Sequence, residues 1–222
     1  MNDTVKAFDD YAADYDRWFD SPEGKALFMA EVEAVGLLTK GLEQPFLEIG
    51  VGTGRFAKEL EIDYGIDPSA KMLTVAATRG IKTEQAEGEA VPFPDGFFGA
   101  VFIIFTLCFV TAPEKVIAEA KRVLKRGGGL IIGFINSKSP WGGLYMQKRN
   151  AGHPLYSLAR FYDPEEVTEM LTAAGFTVEA YSSTLCWPPS VQPAAEEAHI
   201  GTIKEAGVIC IRAKKATSGD RL

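Results

Sequence analysis

Phe46-Leu47-Glu48-Ile49-Gly50-Val51-Gly52-Thr53-Gly54-Arg55-Phe56 decides the fold of this chain: a short apolar strand after Pro45 meets an acid, opens into a glycine loop, and gives way to helical spacing from Arg55 to Leu60. Three glycines at a strand-to-helix turn let a ligand approach the backbone closely. A dinucleotide fingerprint reads G-x-G-x-x-G, whereas Gly50, Gly52 and Gly54 read G-x-G-x-G with Glu48 two residues upstream. A pyrophosphate favours a helix N-terminus without a nearby anion. The carboxylate at the mouth of this loop instead suits a ligand that presents a cation, such as an α-amino group or a sulfonium.

The end of the next strand supplies the second half of such a site in Ile62-Asp63-Tyr64-Gly65-Ile66-Asp67-Pro68-Ser69. Asp67 is positioned to accept both hydroxyls of a ribose, and hydrogen bonds to a charged acceptor are about twice as strong as neutral ones. The same residues also read as a turn and helix start, with Ser69 as the N-cap before Ala70 to Leu73. The two roles are compatible.

Three further stretches follow in order: AEGEAVPFPDGFF from Ala86, AEAKRVLKRGGGLIIGF from Ala118, and FYDPEEVTEMLTAAGF from Phe161. Together with FLEIGVGTGRFA and YGIDPSAKML, they make the region from Phe46 to Phe176 resemble the class I S-adenosylmethionine-dependent methyltransferases, in particular the small-molecule enzymes that include the quinone-biosynthesis group. The resemblance implies a seven-stranded, Rossmann-like, mostly parallel α/β sheet with helices on both faces. It implies S-adenosylmethionine as cofactor and S-adenosylhomocysteine as product. Glu48 would then lie near the methionine amino group, Gly50, Gly52 and Gly54 along the methionine portion, Asp67 on the ribose, and Glu87 on the adenine amino group. Gly88 would admit a backbone amide to the base, and Pro68, Met72 and Ala86 would wall it. The family more often has Asp at the position of Glu87 and often an acid at that of Gly99. The first departure lengthens the reach without changing the hydrogen-bonding chemistry.

Taken from the residues alone, strands lie near 45–49, 62–66, 81–85, 99–105, 129–135, 177–183 and 207–213, alternating with helices. That order implies a largely parallel sheet covered on both faces, with ligands beyond its C-terminal strand ends. With 222 residues and 46% hydrophobic content, one α/β domain over 1–222 accounts for the chain. Residues 213–222 read as a frayed tail. A net charge of −7 and a pI near 5.0 argue against a nucleic-acid partner and leave a small-molecule acceptor. Lys121, Arg122, Lys125 and Arg126 are expected to close a helix as solvated cations at its C-terminus. Three scattered cysteines and two histidines offer no metal site of ordinary spacing. The longest apolar run, from Ala100 to Val110, is too short for a bilayer. The acidic N-terminal stretch reads as no secretion leader, so a cytoplasmic location without membrane association is the expectation.

Two segments lie outside the sheet pattern. At the N-terminus (about 1–40), Phe8, Tyr11, Tyr15, Trp18 and Phe19 are spaced for one helix face. Such a stripe is ordinary packing or, as in the related enzymes, a lid over the cofactor, in which Tyr11 and Tyr15 are the candidates for excluding water and positioning substrate. The insertion 136–162 mixes aromatics, glycine and a few polar groups, as pockets do. Within it His153 is a candidate general base or a surface loop histidine. Thr106, after the fourth strand, faces the same end of the sheet and is a candidate contact for cofactor or acceptor. A binding module without turnover would keep all of these residues. A nicotinamide oxidoreductase would keep the loop and Asp67, but Glu48 and the glycine spacing count against it.

Overall fold

Helix starts are written into this chain as caps. A computed structural model describes residues 3–190 and 197–216. In it, Ser21 accepts a hydrogen bond from Gly24 N at 3.0 Å and opens α2 (Pro22–Gly36). Ser69 accepts from Met72 N at 3.1 Å and opens α4 (Ala70–Thr78). Ser139 does the same for α6 (Pro140–Asn150), and Asp163 for α7 (Pro164–Ala173). Asp163 forms a reciprocal pair with Glu166, each side chain satisfying the other's backbone amide. Asp163→Ala is expected to remove about 1 kcal/mol of stability, the usual scale for a lost N-cap; urea unfolding of the two proteins measures it.

The remaining helices are α1 (Asp3–Trp18), α3 (Arg55–Glu59) and α5 (Pro113–Val123). Eight strands form one sheet: β1 (Phe46–Ile49), β2 (Tyr64–Asp67), β3 (Lys82–Gln85), β4 (Phe98–Ile104), β5 (Leu124–Ile135), β6 (Phe176–Thr184), β7 (His199–Ile200) and β8 (Val208–Lys215). Their order is β3-β2-β1-β4-β5-β8-β6-β7. Strands β1 to β5 pair in parallel, and β8 inserts antiparallel between β5 and β6. Alternation along the central strands divides the core. Leu47, Ile49, Val101 and Ile103 face one layer that includes Val116 and Ile117 of α5 and Val167 and Leu171 of α7. Phe46, Phe102 and Ile104 face the other, with Leu27 and Phe28 of α2, Phe56 of α3 and Leu73 of α4.

Four details depart from the sequence expectation. The two-residue β7 adds an eighth strand, held to β6 through Ser182 and Ser183. Strand β5 begins at Leu124, so Lys125 and Arg126 lie in a strand, where Leu124 pairs with Phe98. The basic group is not a solvated cap: Lys121 donates to Ala174 O beyond α7, and Arg122 grips Val91 O, Phe93 O, Glu119 and Asp95. Residues 213–215 of the expected tail belong to β8, while 217–222 lie outside the described residues. The insertion is ordered as α6 and a short 3-10 turn at Tyr156–Leu158. Among the described residues, no helix is long and apolar enough to cross a membrane.

Candidate functional site

The strand order reverses between β1 and β4, and a crevice opens there beyond their C-terminal ends. Gly50 N and Val51 N both donate to Ile66 O, at 2.8 and 2.9 Å, which pins the glycine loop against β2. Gly52 N then donates to Asp67 Oδ2 at 3.0 Å, and Ser69 N to Oδ1 at 2.8 Å. Each carboxylate oxygen keeps a free lone pair toward the crevice. Gly52 has φ +52°, and a Cβ added there would meet no protein atom. The loop therefore leaves room that the protein itself does not use.

Glu48 and Asp67 face one cavity, together with Gly50, Gly52, Pro68, Met72, Glu87, Gly88 and Thr106. Glu48 is buried, and its Oε2 has no hydrogen-bond partner among the described residues. Burial, reinforced by the negative charge of Asp67, pushes its carboxyl well above the ordinary range against the opposing amide of Ala57. Burial also pushes Asp67 up to about 6, despite the amides of Ser69 and Gly52 that favour its charged form. Two buried acids with no ion pair among the described residues make a site that gains most from a positively charged or multiply donating guest.

The Asp67 shift has a sign in stability. The folded chain holds this proton more tightly than the unfolded chain, so the contribution is full below the unfolded value of 3.8 and is lost as pH rises through about 6. Asp16 titrates lower: burial would raise it, but hydrogen bonds from Arg55 and Arg79 hold it at about 2. Its contribution is lost only as pH falls through that value. Urea unfolding at pH 4.5 and 7 is expected to show a smaller fall in stability for Asp67→Asn than for the unaltered protein. Equal falls would remove the burial account.

Helix α1 roofs the crevice. Asp16 bridges Arg55 and Arg79 at 2.9 Å each, Arg79 also donates to Thr53 O at 2.6 Å, and Ser69 Oγ donates to Asp9. Phe8, Tyr15 and Phe19 line the first cavity and also a second one of about 260 Å³. The second is completed by Tyr11, Trp18 and Glu31, by Phe105, Cys108 and Phe109 after β4, and by Tyr145, Lys148, His153, Tyr156 and Phe161 of the insertion. Phe105 holds φ +52°, an unusual conformation for a bulky residue, where its ring borders both cavities.

The structure separates the glycines by what their missing Cβ does. At Gly50 a Cβ would collide with Thr106, and at Gly88 with Ile49. Gly54 does not line the cavity: it N-caps α3 at φ +78°, and its missing Cβ makes room for Ala76. Ala86, expected as an adenine wall, packs against the core instead. Thr106 Oγ1 lies 3.2 Å from Gly50 O and 3.1 Å from Ile104 O, tying the β4 end to the loop. Tyr11 reaches only the second cavity, whereas Tyr15 borders both. His153 lines the second cavity and also ties its own loop together. Its Nδ1 accepts from Leu155 N at 3.3 Å, and burial lowers its pKa, so the neutral ring carries its proton on Nε2. Sequence reasoning named Tyr145 and Tyr156 within the insertion, and both line the second cavity; it missed Glu31 and Phe105. For Glu31 the sequence offered little signal, since Glu33 follows two residues later in the same apolar stretch of α2. Among the described residues, no group of three His, Cys, Asp or Glu side chains is arranged to hold a metal.

Comparison with known proteins follows this geometry. A methyltransferase domain model matches residues 47–132. An uncharacterized protein of Mycobacterium tuberculosis is 46% identical over 203 residues, covering 91% of this chain and 71% of its own. The demethylmenaquinone methyltransferase of Thermotoga maritima is 30% identical over 172 residues, covering 65% of this chain and 75% of the enzyme. The crystal structure of another Thermotoga maritima protein, an S-adenosylmethionine-dependent methyltransferase described as a possible histamine N-methyltransferase, superposes with a TM-score of 0.89 at 33% identity, over 96% of this chain and all of that one.

Proposed function

Because the chain belongs to the S-adenosylmethionine-dependent methyltransferases, we propose that its first cavity holds S-adenosylmethionine and its second a small-molecule methyl acceptor. The observation that carries this reading is the buried, unpartnered Oε2 of Glu48 beside the open face of Gly52. An α-amino group is the guest that would satisfy it. Asp67 would accept the ribose hydroxyls, Glu87 the adenine amino group, and Pro68 and Met72 would pack on the base. Once bound, the cofactor supplies an electrophilic methyl on a sulfonium, already an excellent leaving group.

The protein's own work is then alignment and exclusion of water. Holding two reactants in attack geometry is worth roughly 7 to 11 kcal/mol. Tyr15 and Phe105, which border both cavities, are placed to define the passage between them. A dinucleotide is disfavoured, since its pyrophosphate would face Glu48 and Asp67. Calorimetric titration with S-adenosylmethionine, S-adenosylhomocysteine and NAD tests the assignment. The two sulfur compounds are expected to bind and NAD to give no heat; NAD binding alone would overturn the reading. Turnover with a panel of acceptors then separates an enzyme from a module that only holds the cofactor.

A further inference from the structure

We propose that the second cavity selects a compact amine, whose ammonium pairs with the carboxylate of Glu31 inside an aromatic wall. This rests on the cofactor assignment above and adds the chemical class of the acceptor. Three observations carry it. The cavity adjoins the proposed cofactor cavity, since Phe8, Tyr15, Phe19, Phe105 and Phe109 line both. Its walls are mostly rings, among them Tyr15, Trp18, Tyr145, Tyr156 and Phe161, and ring faces attract cations. Into this largely aromatic wall α2 places Glu31, which has no hydrogen bond or ion pair with another described residue.

Lys148 also lines the cavity, but its Nζ sits over the rings of Tyr145 and Tyr156, 5.0 and 5.6 Å from their centroids, and it forms no ion pair with Glu31. Asp14, the other acid bordering the cavity, is exposed and paired with Arg17. Kept protonated by burial, Glu31 offers a neutral quinone only a neutral hydrogen bond and a carboxylate no ion pair. An ammonium turns it into a charge-assisted hydrogen bond.

Proton accounting makes the pairing measurable. Burial pushes the Glu31 carboxyl up to about 8, so at pH 7 it carries its proton until a cation arrives. Apart from Lys148 and Asp14, the titratable groups around it stay neutral: Tyr15 of α1 and Tyr145 of α6 are raised, Tyr156 lies at about 12, His153 is lowered, and Cys108 and Cys210 lie at about 12. Binding of RNH3+ therefore releases roughly one proton to solvent, whether the shared proton then rests on nitrogen or on Glu31. A proton resting on Glu31 leaves RNH2 with a free lone pair.

The test uses the full protein saturated with S-adenosylhomocysteine, titrated at pH 7 with 2-phenylethylamine, 2-phenylethanol and 3-phenylpropionate in phosphate and in Tris. The amine is expected to bind at least tenfold more tightly than the alcohol, the acid to give no heat, and the difference between buffers to show roughly one proton released. Glu31→Gln should retain S-adenosylhomocysteine binding and lose both the amine preference and the proton release. Equal binding of amine and alcohol by the unaltered protein, which needs no variant to fold, overturns the proposal, as does an amine preference that survives in Glu31→Gln. Failure of S-adenosylhomocysteine to bind would instead overturn the cofactor reading, and this proposal with it.

Discussion

Gly52→Val is expected to abolish S-adenosylhomocysteine binding, lowering affinity by more than about 100-fold, while the protein stays folded. The residue sits at φ +52° on the cavity wall, where an added Cβ meets no protein atom within 4 Å. The two valine methyls would thus occupy the ligand's space and not the core. A branched residue in this backbone region also carries strain of about 1 to 3 kcal/mol. Circular dichroism and calorimetry on the same preparation check both halves; normal binding by the folded variant would displace the loop from the cofactor. Gly54 gives a contrasting control. Its Cβ would press on Ala76 at 3.0 Å, so a side chain there is expected to show mainly in stability.

Asp67→Ala has the second largest expected effect, a loss of about 1.5 to 3 kcal/mol in S-adenosylhomocysteine affinity, the scale of a charged hydrogen-bonding group. Two contributions combine. The ribose would lose its acceptor, and Gly52 N and Ser69 N, now anchored on the two carboxylate oxygens, would lose theirs. Comparison with Asp67→Asn separates them, since the amide keeps one oxygen for a backbone donor. Unchanged affinity in a folded Asp67→Ala would remove the residue from the ribose role.

The half of the site proposed to hold the cofactor was legible because it is local. Glu48 and Gly50 to Gly54 lie within seven consecutive residues, and Asp67 ends the very next strand, so strand periodicity and glycine spacing sufficed. The half proposed to hold the acceptor is tertiary. Glu31 comes from α2, Phe105 from the end of β4, and Tyr145 and Tyr156 from the insertion, and no spacing rule links them. The start of β5 was hidden for another reason. Lys125, Arg126 and three glycines have little strand preference of their own, and pairing of Leu124 with Phe98 and of Gly129 with Lys214 makes them a strand. Strand β7 is too short to leave a periodic signal.

The roof over both cavities is fastened differently from the floor. Among the described residues of α1, only Ala12 is fully buried, and the helix is tied down by Asp16 with Arg55 and Arg79 and by Asp9 with Ser69. Water and dissolved ions can replace such ties, whereas nothing in solution replaces the packing of β4. Opening of α1 is therefore expected to need less free energy than global unfolding. On the proposed reading, the spent nucleoside leaves by that route, and the pace of successive catalytic rounds depends on ionic strength while the melting temperature of the sheet does not.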